Sequence, residues 1–306
     1  MSSYRFQGRT AVITGGGGDI AGHIAKRLHN RGMNLVLADI NGRAARELQS
    51  QLDGLKVHVF EGDLTRRDEM QRLLRETEEN FGILDVLINN MAITKVARFH
   101  ERSPESIEDE ITINLLSPLI LTRLAVPFLL KGDDPRVITT TSLGGIQPLR
   151  ETPIYAATKF GLRGAMLSFG LDEDLHGIKV SCVLPTATDT YMLRQEAIEN
   201  GSVLNFIDEP QSPAVVADQF VKHLENPCLE RYPKASDSWL TRLAMLLPNQ
   251  MPRILPFFEK KGRRGMAKYI ASLRQRGLLI EVDGKLYQRQ RLYLDKPEME
   301  QELDHS

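Results

Sequence analysis

Gly16-Gly17-Gly18-Asp19-Ile20-Ala21 is the first stretch whose residue types point to chemistry. It satisfies G-x-G-x-x-G/A, the spacing of a turn that binds a pyrophosphate. Glycines let the backbone turn tightly and approach the phosphates, and a helix start supplies N–H donors and the positive end of a dipole. Gly15, Gly17, Gly18, Asp19 and Ile20 are therefore expected at a nucleotide. Asp39, 21 residues after Gly18, ends the next apolar stretch. An acid there accepts hydrogen bonds from ribose hydroxyls and repels a 2′-phosphate, so NAD is expected over NADP. Asp63 and Leu64 follow a third apolar stretch, where an adenine ring lies in a doubly wound fold; Asp63 reads equally well as a helix cap. Further along, Tyr155 and Lys159 stand four residues apart and share one helix face. Ser142 lies 13 residues before Tyr155.

These residues need elements to hold them. Thr10–Thr14, Asn34–Ala38, Lys56–Glu61, Leu84–Ile88, Arg136–Thr140 and Lys179–Leu184 are short, apolar and β-branched, and read as strands. Between them, Ile20–Asn30, Ala44–Leu52, Arg67–Phe81, Ser106–Leu130 and Tyr155–His176 read as helices. This alternation predicts an α/β fold, a Rossmann-type doubly wound parallel sheet with ligands at the carboxyl ends of its strands. After Leu184 the rhythm breaks into a loop with short helical pieces, then a helix over Ala214–Leu224. Beyond Pro227 the composition shifts: residues 231–276 hold eleven basic residues and two acids. Leu278–Val282, Asp283-Gly284 and Lys285–Leu294 predict a hairpin on a type I′ turn, followed by an acidic tail after Pro297. Residues 1–230 are expected to form the dinucleotide domain with its lid. Residues 231–306 are expected to form a helical and hairpin extension packed on the core or on a partner subunit.

The chain has 306 residues, 39 basic and 40 acidic, for a net charge of −1, with 42% hydrophobic residues. That composition fits a globular chain and argues against a protein that coats nucleic acid. Two cysteines are too few for a disulfide framework and suit a reducing, cytoplasmic setting. The start MSSYRFQGRT lacks the apolar core of a signal peptide. Pro118–Leu130 is short and contains Arg123, so no transmembrane helix is expected.

Thr14-Gly15, Asn89-Asn90, Asn114, Ser142, Tyr155-x-x-x-Lys159 and Pro185…Thr190, in that order and spacing, resemble the short-chain dehydrogenase/reductase family over roughly residues 6–225. The resemblance implies an NAD(P)-dependent oxidoreductase acting on CH–OH groups. It implies Tyr155 as general acid/base and Lys159 as the ammonium that lowers the tyrosine pKa and holds the nicotinamide ribose. Ser142 would orient the substrate oxygen, and Asn114 would hold a water leading from Lys159 to solvent. Asn90, Pro185 and Thr190 would contact the cofactor with the glycine loop, and homodimer or homotetramer contacts would lie on Ser106–Leu130 and Tyr155–His176. The chain departs from the family pattern at three places. Asp19 replaces a glycine and is expected to cap the first helix itself, Met91 is expected to narrow the nicotinamide region, and Thr186 follows Pro185. These departures keep a second reading open, a non-catalytic nucleotide-responsive binding protein on the same fold.

Apolar residues after the sixth strand (Tyr191, Met192, Leu193, Ile198, Val203, Leu204, Phe206 and Ile207), with Leu143, predict a lid over a small hydrophobic alcohol or ketone; the same residues would serve equally to pack the lid on itself. Ser142, Leu143, Tyr155 and Met192 are the expected substrate contacts. No metal site is expected. Residues 239–266 combine Trp239, Leu243, Phe257 and Phe258 with Lys260, Lys261, Arg263 and Arg264, a pattern of membrane-surface elements. Pro248, Pro252 and Pro256 are expected to prevent one continuous helix, which favours packing over membrane contact.

Overall fold

A computed structural model of the chain describes residues 4–52, 56–282 and 284–289. Seven strands form one parallel sheet: β1 (Thr10–Thr14), β2 (Asn34–Asp39), β3 (Val57–Glu61), β4 (Val86–Asn89), β5 (Arg136–Thr140), β6 (Lys179–Val183) and β7 (Glu230–Arg231). Their order is β3-β2-β1-β4-β5-β6-β7, so the winding reverses between β1 and β4. That reversal opens the crevice in which a doubly wound sheet binds ligands. β7 was not expected; its two residues carry no readable period.

The interiors of the central strands are largely apolar because both sheet faces are covered. Ala11 and Ile13 of β1 point into one core with Ile24 and Leu28 of α1 (Asp19–His29). Across the sheet, Val12 joins Leu73 of α3 (Arg67–Phe81), Leu121 of α5 (Ser117–Leu129) and Leu162 of α6 (Pro153–Leu171). Between α1 and α3 lies α2 (Gly42–Gln49). The helix expected over Ser106–Leu130 is α4 (Pro104–Ile111) joined to α5 by a π turn, Thr112–Leu116. A π turn inserts one extra residue per turn and often marks a functional site; here it buries Asn114. The run Pro104–Leu129, whose most apolar window has a mean hydropathy of 1.5, is long and apolar enough to cross a membrane. Leu121, Ala125 and Leu129 are nevertheless buried in the sheet's core. The helix expected over Tyr155–His176 starts at Pro153 and is interrupted at Asp172 before the single turn α7 (Glu173–His176).

Past β6 the lid consists of α8 (Tyr191–Ile198) and a short 3-10 turn, Val203–Phe206. It is followed by α9 (Pro213–Glu225), which packs on α1. The extension contributes α10 (Ala235–Met245), α11 (Met251–Gln275) and an antiparallel hairpin of β8 (Leu279–Val282) and β9 (Lys285–Gln288). Asp283, the end of the expected second strand beyond residue 289, and the acidic tail lie outside the described residues.

The expected break within 239–266 is present between α10 and α11, and α11 shows which proline lies at it. This helix runs unbroken through Pro256, while Pro248 alone separates it from α10. Pro252 occupies the first turn, where its missing N–H costs nothing, and Pro256 removes one bond near the helix start. The rest of α11 is held by tertiary contact, which outweighs that loss. Met266, Tyr269 and Leu273 form a third small core with Leu193 and Phe206 of the lid and Leu279 of β8. A Cβ on Gly262 would stand 2.1 Å from the Val203 carbonyl oxygen, so only glycine lets α11 lie this close to the lid.

Candidate active site

The glycine loop leaves β1 through Gly15, whose φ of +64° is left-handed. A Cβ there would meet the Met91 Cα at 3.1 Å. At Gly17 a Cβ would lie 2.6 Å from the Ala44 methyl. The chain can make this turn only with glycine. The Thr14 hydroxyl accepts from the amides of Asn90 (2.9 Å) and Met91 (3.1 Å), fastening the end of β1 to the loop after β4. Thr140 in turn donates to the Asn90 side chain at 3.0 Å. Asp39 stands at the carboxyl end of β2 and accepts from Gly17 N–H and Asn41 N–H, both at 2.9 Å, on its two oxygens. Each oxygen keeps a further lone pair for a ribose hydroxyl. The loop and Asp39 thus fit a dinucleotide.

Asp63 follows β3 and accepts from both the amide (2.9 Å) and the hydroxyl (2.7 Å) of Thr65. It closes a local turn, while Arg66 occupies the N-cap of α3. The Leu64 side chain is buried in the core, so only its backbone faces a ligand. Asp19 behaves differently from its expected role. Gly18 is the N-cap of α1, and the Asp19 carboxylate instead accepts from the Tyr191 amide at 2.6 Å. Ile20, next on α1, is half-buried.

Ser142 lies just past the end of β5, and Tyr155 on the first turn of α6. A Cβ on Gly144 would be 3.2 Å from the Tyr155 ring and 3.3 Å from Ser142 Oγ, so the two side chains meet over this glycine. Ser142 Oγ accepts from Gly144 N–H at 3.0 Å and stands on the same side of this glycine as the Tyr155 ring. Lys159 sits one turn beyond Tyr155 and is 2% exposed. Its ammonium donates to the Thr140 carbonyl at 3.1 Å and lies 5.5 Å from the Tyr155 ring centre. Burial pushes the Lys159 pKa down to about 8. Burial also raises Tyr155 to about 12, with the neighbouring Ser142 hydroxyl opposing the rise and Glu196 and Glu110 adding to it. A lowered Tyr155 was expected. That lowering was expected from Lys159 together with an oxidised nicotinamide; with Lys159 turned toward Thr140, desolvation sets the direction.

Asn114, in the π turn, holds the loop after β4 by a two-way bond to Ile93: its Oδ1 accepts from the amide and its Nδ2 donates to the carbonyl, both at 2.8 Å. Pro185 accepts from Leu143 N–H at 3.0 Å, joining the β6 end to the Ser142 turn. Thr190 is the N-cap of α8 through Leu193 N–H, and Met192 is half-buried on that helix. The site residues therefore gather at the carboxyl ends of β1 to β6, joined there by Asn114 from the π turn and by Tyr155 and Lys159 from α6.

Much of the lid's apolar character is spent elsewhere. Leu193, Ile198, Val203 and Phe206 pack against the extension. A cavity of about 700 Å³ lies beside them, between α11 and the 96–101 and 150–151 segments, with Arg98, Glu101, Arg150, Glu199 and Arg263 on its walls. Two groups escaped the sequence reading. Glu196 is buried on α8, its carboxylate accepting from Asn205 Nδ2 at 2.6 Å, and burial raises its pKa to about 7. The spacing Leu193, Glu196, Ala197 places it on the inward face and would have flagged it. Asp189 binds Arg194 (2.9 Å), Tyr269 (2.6 Å) and Arg276 (2.8 Å), tying the lid to α11. No sequence signal joins residues so far apart.

Comparison with known proteins agrees with this geometry. A family model for short chain dehydrogenases matches residues 9–200. An uncharacterized oxidoreductase of Thermotoga maritima is 30% identical over 210 residues, covering 68% of this chain and 82% of that protein. Mouse L-fucose dehydrogenase is 32% identical over 183 residues, covering 59% of this chain and 66% of that enzyme. With the winding reversal, the glycine turn and the Ser142–Tyr155–Lys159 cluster in place, the chain belongs to the short chain dehydrogenase family of oxidoreductases.

Proposed function

We propose that the protein is an NAD(H)-dependent dehydrogenase that interconverts a secondary alcohol and its ketone, with Tyr155 moving the hydroxyl proton. The observation that carries this reading is the meeting of Ser142 and Tyr155 over Gly144, with Lys159 one turn below. The bound dinucleotide would supply or accept the hydride. Gly15, Gly17, Gly18 and Ile20 would hold its pyrophosphate, Asp39 its adenosine ribose, and Asp63 with the Leu64 backbone its adenine. Asn90, Pro185 and Thr190 would border the nicotinamide. Ser142 would hydrogen-bond the substrate oxygen. Tyr155 would take the hydroxyl proton in oxidation and return it in reduction. The Lys159 ammonium would favour the phenolate once it faces the ring rather than Thr140, and Asn114 would line the proton's way out.

NAD is preferred over NADP because Asp39 would meet a 2′-phosphate with like charge. Arg43 and Arg46, the nearby cations, are already paired with Glu47 and Glu61. Titration calorimetry with NAD⁺, NADH, NADP⁺ and NADPH is the test. Tighter binding of the unphosphorylated pair is expected; preference for the phosphorylated pair removes Asp39 from this role. Binding without turnover across a broad alcohol screen would favour the non-catalytic reading.

For the substrate, Met91, Leu143 and Met192 support a hydrophobic body next to the reacting carbon. The charged cavity walls and the similarity to an L-fucose dehydrogenase support a second reading, a hydroxyl-rich alcohol. Parallel turnover assays with apolar cyclic alcohols and with sugars separate the two.

Residues 1–230 would form the catalytic domain and 231–306 an extension closing over its lid. Assembly as a homodimer or homotetramer would use α4, α5 and α6, where Leu116, Leu130 and Phe160 are exposed. The free thiols of Cys182 and Cys228 suit the cytoplasm. Peripheral membrane contact gains support from the outward residues of 239–258. Trp239 is 76% and Phe257 80% exposed, with Leu243, Leu246, Leu247 and Ile254 also outside. Basic residues flank them, which suits an anionic lipid surface. Flotation with anionic vesicles, lost in Phe257→Ser, is expected; absence of flotation removes the contact.

A further inference from the structure

We propose that Asp19 sets the dinucleotide affinity of this protein by latching the lid helix onto the glycine loop across the position of the pyrophosphate. The proposal rests on the dinucleotide reading above. Asp19 is the first residue of α1, and Tyr191 the first residue of α8. The first amides of a helix lack partners within it. The Tyr191 amide finds its partner in the Asp19 carboxylate, 172 positions away, at 2.6 Å. Such a bond from an ionised acceptor is among the stronger ones.

The other end of the same residue is also held. The Tyr191 carbonyl accepts from Gln288 Nε2 of β9 at 3.0 Å, and that amide also reaches Gln195 Oε1 at 3.1 Å. Tyr191 is thus suspended between the glycine loop and the extension hairpin. Arg194, one turn along α8, attracts Asp19 and is itself bound to Asp189 at 2.9 Å. The lid therefore rests closed on the loop through one carboxylate.

A pyrophosphate bound at the start of α1 brings negative charge to the residue where Asp19 stands. Two anions repel there, and the arriving phosphates compete for the space bridged by the Asp19–Tyr191 bond. Binding has to break the latch, so affinity falls by the strength of that bond plus the repulsion. Asp19→Gly removes the latch and the charge together. Asp19→Asn removes the charge and keeps a carbonyl acceptor for the Tyr191 amide.

The test is calorimetric titration of the full chain (wild type, Asp19→Gly and Asp19→Asn) with NAD⁺, ADP and adenosine. Amide hydrogen exchange over residues 188–198 is measured on the same proteins without nucleotide. Asp19→Gly should bind NAD⁺ and ADP at least about tenfold more tightly, as expected for loss of one charge-assisted bond, with adenosine unchanged. Its lid should exchange faster, while that of Asp19→Asn stays close to wild type. Equal or weaker NAD⁺ binding by Asp19→Gly, with wild-type binding intact, overturns the proposal and leaves the dinucleotide reading standing. Unchanged lid exchange in Asp19→Gly also overturns it. Loss of nucleotide binding in all three proteins removes the dinucleotide reading, and the proposal with it.

Discussion

The two walls of the cleft are held in place by different means. On the nucleotide wall, Thr14, Gly15, Gly17, Asp39 and Asn90 are fixed by strand ends and by bonds to backbone amides of the neighbouring strand or loop. Their positions follow once the sheet has formed. On the lid wall, Asp189 and Tyr191 are held by side chains arriving from an extension 80 to 97 residues later. The first wall costs as much to open as the sheet itself. The second opens by breaking a few partly exposed bonds. Rigid placement of the reacting groups and easy entry of ligands are thus assigned to separate regions.

The largest effect that bears on this division is at Tyr155. Tyr155→Phe should lower turnover about a thousandfold while the thermal midpoint stays near wild type, as measured by steady-state rates and scanning calorimetry. A variant that keeps its activity would move the proton-transfer step off the rigid wall.

Lys159→Met should separate function from stability in one residue. The folded-state pKa near 8, against 10.5 for a free lysine, means that the buried ammonium opposes folding below pH 8. This opposition fades as the pH rises toward 10.5, because the unfolded chain then binds more protons than the folded one. The methionine variant should therefore lose turnover yet gain about 3 kcal/mol at neutral pH, and the gain should vanish near pH 10.5. Urea unfolding at the two pH values reads it; a destabilised variant at pH 7 would contradict the depressed pKa.

Two aspartates sharpen the contrast further. Asp85 holds Arg9 at 2.9 Å and the Thr10 amide at 2.8 Å, beneath the sheet. Asp189 holds the lid to α11. Asp85→Ala should cost about 2–3 kcal/mol of global stability, because it strands a buried amide and a guanidinium. Asp189→Asn should cost about 1 kcal/mol and be felt as faster hydrogen exchange over residues 266–282, with the sheet's exchange unchanged. Equal, global effects at both sites would dissolve the distinction between the walls.

The smallest effect concerns acid. His223 on α9 is buried, bonded to the Cys182 carbonyl at 3.2 Å, and burial lowers its pKa to about 3. Its folded form therefore resists protonation that the unfolded chain accepts below pH 6.5, and stability falls as the pH drops from there. At pH 5.5 this amounts to about 1 kcal/mol, and His223→Gln should flatten that part of the curve.

The nucleotide wall was legible in the sequence because its signals are local. A glycine turn between a strand and a helix, and an acid at the next strand end, each fall within one βαβ unit. Tyr155 and Lys159 were legible because one helix turn joins them and they stand with Asn114 and Ser142 in an order that resembles the family pattern. Asp19 was misread as a cap, because spacing along a chain cannot reveal that the amide it accepts from belongs to Tyr191. The lid's apolar residues fitted a pocket wall and self-packing equally well in sequence, whereas Leu193, Ile198, Val203 and Phe206 join Met266, Tyr269 and Leu273 of α11. The continuity of α11 through Pro256 was hidden for the same reason, since it depends on packing against the lid.

By itself the sequence determined the parallel sheet and the glycine turn, because strand and helix periods act within a few residues, and it pointed to Ser142, Tyr155 and Lys159 through their resemblance to the family pattern. Only the tertiary structure decided where Lys159 points, what Asp19 holds and which core the lid joins. Those outcomes depend on which unpaired donor or apolar face comes nearest in space, and that is settled only when distant segments pack.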